Sequence, residues 1–191
     1  MPPKSKPRAE YPIRCARQWR GIVWHHSVME NGDALDWDSI DEAHRSYRVD
    51  GRPVDVVEYR KAFIMHTGSQ FNEPMRDIGF HMGVEFSEVK GVFLPVIKTG
   101  RSLELSGKHT SSPTHEEQYL GFCAIGNFDA KSMRPEMYDT CLRLTRTFMD
   151  FFQIPEDKVL AHSEIFSKLN IPGSSTCPGS LWSFPKFRRD L

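Results

Sequence analysis

YLGFCAIGNF, residues 119–128, decides how this chain is built. The run is apolar and of strand length, with no polar residue alternating into it before Asn127. A strand of that kind is buried on both faces and sits in the middle of a sheet. Before it, GFHMGVEF (79–86) and GVFLPVIKT (91–99) read as two further strands. Pro95 cannot donate to a ladder, so the second of these lies at an edge or carries a bulge. RGIVWHH (20–26) is another apolar strand, ending in two histidines, and KVLAH (158–162) is a brief strand that again ends in His.

The helices lie between and beyond these strands. Ser39 and Glu42 form a capping-box pattern, and Ile40, Ala43, His44 and Tyr47 recur at helical spacing, which predicts a helix over 39–48 broken by DGRP (50–53). Val56, Tyr59 and Phe63 predict a second helix that stops near Gly68, and FNEPMRD reads as a loop. Tyr138, Cys141, Leu142, Thr145, Phe148, Met149 and Phe152 mark a long amphipathic helix that starts near Pro135 and ends by Pro155. GRSLELSGKHTSSPTHEEQ is mostly loop. The tail CPGSLWSFPKFRRDL holds one short helix, with Leu181 and Trp182 packed on the body. Strands and helices mix without strict alternation. The expectation is a single α/β domain with a central mixed β-sheet flanked by helices on both faces.

The chain has 191 residues, enough for one domain that builds a core without disulfides or metals. Lys plus Arg equal Asp plus Glu at 25 each, so charge gives no global argument for nucleic acid. No apolar run approaches the ~20 residues of a membrane span. MPPKSKPRAEYP is polar and Pro-rich with no apolar segment behind its basic residues. It reads as a flexible tail over 1–14, ahead of a domain over 15–191, and as no secretory signal. The expected location is cytoplasmic as synthesised. Cys15, Cys123 and Cys141 show no disulfide pattern and are expected to be free, Cys123 and Cys141 as buried thiols.

Cys177 differs, because it sits in a polar turn, STCPG (175–179). His25 and His162 each close an apolar strand, and ligands at strand ends and in a tight loop can converge at one edge of a sheet. Two imidazoles and a thiolate suit zinc, and three protein ligands leave a fourth position open. A closed four-ligand site would need one more residue, and His26, His81 and His109 are available, so spacing alone does not decide between them. A lone His at a strand end is more often an ordinary hydrogen-bonded residue.

The order of segments resembles the zinc amidases of the N-acetylmuramoyl-L-alanine amidase type 2 family, which includes phage lysozyme-type amidases and peptidoglycan recognition proteins. IVWHHS (22–27), DIGFH (77–81), TGRS (99–102), SGKHT (106–110), LGFCAIGNF (120–128), AHSE (161–164) and STCPG (175–179) carry the resemblance. It spans roughly residues 20–183, with 49–75 as an insertion that reshapes the groove. It implies a central mixed sheet and a zinc ion held by His25, His162 and Cys177. The implied reaction is hydrolysis of the amide between N-acetylmuramic acid and L-alanine, in peptidoglycan or a muropeptide, as in an endolysin. Neither nucleic acid nor a membrane span is implied.

The resemblance also places Ser175 and His109 as catalytic residues and Phe80, Arg101 and His109 along the substrate groove. Phe80 stands where many active members have Tyr. Ser175 stands where phage members have Lys and recognition amidases have Thr. Cys123 stands where some cytoplasmic relatives have Glu. His26 and Lys108 read as packing or solvated residues, and Glu164 as either an orienting carboxylate behind a ligand or a surface acid. Three functions follow from this pattern: a zinc amidase, a non-catalytic peptidoglycan-binding module, or a zinc hydrolase of another amide. Retention of Cys177 favours the enzyme.

Overall fold

The structure is a computed structural model that describes residues 17–27, 36–65, 70–110, 112–169 and 175–191. The tail over 1–14, Cys15 and the stop near Gly68 lie outside the described residues. Among these residues the chain forms one five-stranded sheet in the order β6-β5-β7-β1-β8. Its strands are β1 (Gly21–His26), β5 (Met82–Val89), β6 (Val92–Thr99), β7 (Tyr119–Ala124) and β8 (Val159–Ala161). β5, β7, β1 and β8 run parallel, and β6 returns antiparallel to β5. The expected mixed sheet is present, with 119–124 as its middle strand and Pro95 on the edge strand β6.

Side-chain parity divides the sheet into a core face and a site face. Ile22, Trp24, Leu120, Phe122, Ala124, Val84, Val159 and Ala161 point to one side and join the main core. Helix α4 (Pro135–Phe152) and helix α6 (Phe184–Arg189) cover that side with Met137, Cys141, Leu142, Leu144, Phe184 and Phe187. Trp24 sits at the centre. Its ring meets Phe122, Trp182 and Phe187 edge-on, at centroid distances of 5.3, 5.4 and 6.0 Å. Its Nε1 donates to the buried hydroxyl of Thr145 at 3.0 Å, so the indole is apolar in packing and satisfied in polarity. Trp182 is buried as expected, whereas its neighbour Leu181 is 48% exposed, so only one of the two packs on the body.

The opposite face carries His25, Cys123 and Gly83 in register across β1, β7 and β5. Helix α1 (Trp37–His44) lies over it, and Trp37 can do so because Gly83 has no side chain: a Cβ there would stand 2.0 Å from the indole. Glu85 is buried beside it. Its carboxylate accepts from the Trp37 amide at 2.7 Å, from Ser87 at 2.8 Å and from Lys98 at 2.8 Å, which pins the start of α1 to the sheet. Burial alone would raise its pKa, but the Lys98 ammonium and the two hydrogen bonds hold it below the usual carboxylate value.

Two elements differ from expectation. The helix predicted over 39–48 runs over Trp37–His44, because Asp36 is its N-cap and accepts from the Ser39 amide at 2.7 Å. Ser39 therefore lies inside the first turn. Residues beyond it turn into β2 (Arg48–Val49) and β3 (Arg52–Pro53), joined by Asp50 and Gly51 at φ 49° and 77°. Asp-Gly with two positive φ angles is the two-residue hairpin turn, so DGRP turns a strand rather than only ending a helix. β2 also pairs with β4 (Phe71–Asn72), which falls within the expected FNEPMRD loop. With helix α2 (Val56–Met65) these strands form a small satellite unit held by Tyr47, Tyr59, Phe63 and Phe71, ring against ring at 4.9–6.3 Å.

Candidate metal centre

Parallel register brings the histidines together. Trp24 of β1 pairs with Ala161 of β8, and the next residue after each is a histidine, His25 and His162. Both are thus at the carboxyl edge of the parallel strands, where open α/β sheets place their ligands. His162 does not end a strand, however. It is the first residue of helix α5 (His162–Leu169), an element the sequence reading did not contain. Glu164 in the first turn accepts from the Ala161 amide at 2.8 Å and from Arg188 at 2.6 Å. It therefore fixes the strand-to-helix corner that presents His162. Cys177 is returned to the same place by a backbone tie, its carbonyl accepting from the Ser163 amide at 2.9 Å.

The possible ligand atoms of His25, His162 and Cys177 lie within 4.8 Å of one another. Cys177 Sγ is 3.7 Å from His25 Nδ1, and the rings of His25 and His162 are 4.4 Å apart. Burial first, then repulsion from His162 and His109, pushes the His25 pKa well below its ordinary value. Burial alone lowers His162 to about 4. Both imidazoles are neutral at physiological pH and keep a lone pair to give. Burial pushes the Cys177 thiol up to about 12, so it holds its proton until a cation displaces it. A cage of two neutral imidazoles and one thiol that gains a charge on losing its proton fits a single zinc ion.

The other expected site residues sit as follows. Phe80 packs its ring on His25 at 5.0 Å and on His44 at 5.6 Å, forming an apolar wall of the site. Ser175 is half-buried two residues before Cys177, and its Oγ accepts from the Cys177 amide at 3.2 Å. Arg101 is engaged by the chain itself. Its Nε, Nη1 and Nη2 donate to the carbonyls of Ile78, Ser106 and Asp77, so the guanidinium straps two loops together. His109 is buried, with Nδ1 3.1 Å from His25 Nε2 and Nε2 3.2 Å from the Tyr119 carbonyl.

His26 points to the other side of β1, where Nδ1 accepts from Phe128 and Nε2 lies 3.8 Å from Asp129. Lys108 pairs with Glu116 at 3.1 Å in solvent. Cys123, level with His25 on the next strand, is a buried thiol among Trp37, Ile40 and Ile78. Cys123 and Cys141 are free. In the sequence, His44 stands out only for its helical spacing. It ends α1 beside Phe80, with Nδ1 accepting from the Gly79 amide at 2.9 Å, and burial lowers its pKa to about 4.

Compared with known families, residues 16–180 match the family described as N-acetylmuramoyl-L-alanine amidase, Amidase_2. The chain belongs to this family.

Solved structures share its fold. N-acetylmuramoyl-L-alanine amidase LysC from Clostridium intestinale URNW is similar at a TM-score of 0.57 and 19% identity, over 94% of this chain and 89% of that one. The endolysin amidase LysCS from the same organism gives 0.56 and 19%, over 92% and 84%. Bumblebee PGRP-SA gives 0.53 and 16%, over 88% and 80%. No curated protein matches the chain by sequence. Members of the amidase family and the recognition proteins thus share the frame on which the three candidate ligands stand. Among the described residues, no helix is long and apolar enough to cross a membrane.

Proposed function

We propose that this chain is a zinc-dependent amidase that hydrolyses the bond between N-acetylmuramic acid and L-alanine in peptidoglycan or its fragments. Family membership supports an activity toward that polymer. The observation that carries the enzyme reading is the approach of His25, His162 and Cys177 donor atoms within 4.8 Å at the carboxyl edge of the sheet. A zinc ion held there supplies Lewis acidity, polarising a carbonyl and making water acidic enough to ionise near pH ~7. The protein's own groups then bind and orient. The Ser175 hydroxyl, fixed by the Cys177 amide, keeps its proton for a substrate oxygen that gains charge. The Phe80 ring shields one side of His25 from water.

Zinc binding carries a pH signature. Between pH 6 and 8 the imidazoles are already neutral, and the Cys177 thiol, at about 12, is still protonated. Binding therefore releases one proton, and the zinc dissociation constant is expected to tighten about tenfold for each unit of rising pH. Chelator-competition titrations at fixed ionic strength measure this slope. A flat profile would remove the thiol from the ligand set.

Phe80 favours a second reading, a non-catalytic module that binds muropeptide, because Phe has no hydroxyl to donate to an oxyanion. Phe80→Tyr separates the two. In an amidase the added phenol is expected to raise the rate by less than ~100-fold, the worth of one well-placed donor. The gain falls short of that limit because the pocket around Phe80 is packed for a bare ring. The assay is release of stem peptides from muropeptides with zinc saturated. If parent and variant both bind muropeptide and release nothing, the module replaces the enzyme.

A further inference from the structure

We infer that His109 is a positioning residue: it fixes the tautomer of His25 and so aims the bare Nδ1 of His25 at the metal position. The inference deepens the zinc reading and rests on it for its purpose, although not for its geometry.

The proton positions follow from a group that has no choice. The Tyr119 carbonyl can only accept, and His109 Nε2 stands 3.2 Å from it, so the hydrogen of neutral His109 is on Nε2. His109 Nδ1 is then a lone pair. It lies 3.1 Å from His25 Nε2, so His25 donates from Nε2. That leaves His25 Nδ1 without a hydrogen, on the side of the ring that faces Cys177 Sγ at 3.7 Å. A backbone carbonyl at the start of β7 thus dictates, through one imidazole, which nitrogen of a second imidazole is free to bind a cation.

The surroundings of His109 are shaped for this relay. A Cβ on Gly107 would stand 2.3 Å from His109 Cδ2, and one on Gly121 would stand 2.4 Å from it, so the ring lies between two positions that only glycine allows. His81 holds both sides of that slot. Its Nδ1 accepts from the Gly121 amide at 2.9 Å, and its Nε2 lies 3.1 Å from the Leu105 carbonyl, which fixes its own hydrogen on Nε2. The loop that carries His109 and the strand that carries Gly121 are therefore tied to each other through a third histidine.

The test uses the full chain, with zinc and without it. In the parent, an ¹⁵N–¹⁵N coupling across the hydrogen bond is expected between His25 Nε2 and His109 Nδ1. His109→Ala removes the acceptor and is expected to weaken zinc binding by about 10- to 100-fold. His109→Asn, whose side-chain oxygen can take the place of Nδ1, is expected to recover most of that loss. Competition with a chelator gives the affinities. The inference is overturned if the parent carries the His25 hydrogen on Nδ1. It also fails if His109→Ala binds zinc as tightly as the parent, or if His109→Asn is as weak as His109→Ala. If His109→Ala does not fold, the coupling in the parent decides alone. A parent that binds no zinc refutes the zinc reading, and the coupling still decides the link between the two rings.

Discussion

Cys177→Ser is expected to lose most of its zinc and to lower hydrolysis by more than about 100-fold, since metal-ion catalysis contributes several kcal/mol. A serine hydroxyl has nearly the shape of the thiol but stays protonated, and it binds zinc poorly. The backbone of the turn does not depend on the sulfur. The Cys177 carbonyl accepts from Ser163 and its amide donates to Ser175, and both contacts survive the change. The variant is therefore expected to melt as the metal-free parent does while failing to load. Elemental analysis gives the zinc content, and peptide release gives the rate. Full occupancy in the variant would take Cys177 out of the site.

Trp24→Ala is expected to destabilise the fold by about 3–5 kcal/mol, the range for large aromatic truncations in a core. Trp24 is wholly buried and meets Phe122, Trp182 and Phe187, so its loss opens a cavity between the sheet and the C-terminal helix α6. The Thr145 hydroxyl also loses the indole donor in a dry environment, although it still donates to the Cys141 carbonyl at 2.8 Å. For a chain of this size each kcal/mol corresponds to a melting shift of about 2–4 °C. Calorimetry should show a fall several times that. A shift within a degree or two of the parent would mean that the core relaxes around the gap.

The central strands were legible because burial on both faces leaves an apolar run that needs no partner to be recognised. YLGFCA and GIVWHH could be read alone, and Pro95 announced an edge. Short elements defined by hydrogen bonds were not legible in the same way. α5 holds too few apolar positions to show a period beside a Gly- and Ser-rich loop, and its start is set by Glu164 reaching back to Ala161. Helix α3 (Pro113–Gln118) fell inside a segment read as loop, although Ser112 followed by Pro113 is a start signal. Asp50-Gly51 is a hairpin dipeptide, but the helical spacing ahead of it makes it look like no more than a break.

The candidate ligands were readable as residue types, but their meeting depends on register. Nothing in the spacing of His25 and His162 says that Trp24 pairs with Ala161. Arg101 and His109 show the complementary limit. A sequence shows that a polar side chain is present, but not that three carbonyls, or a carbonyl and a neighbouring imidazole, already engage it. Glu85 was not singled out at all, because a buried carboxylate is informative only once Lys98 and the Trp37 amide are seen around it.

The central claim is that His25, His162 and Cys177 hold zinc and that this site opens the amide between muramic acid and L-alanine. Mass spectrometry of purified peptidoglycan, digested with zinc-loaded and with chelated protein, tests it most directly. Free stem peptides with an L-alanine amino terminus, alongside intact glycan carrying bare lactyl groups, are expected from the zinc-loaded protein only. Peptidoglycan that stays whole under the zinc-loaded protein, or that is cut equally well by the chelated one, would contradict it.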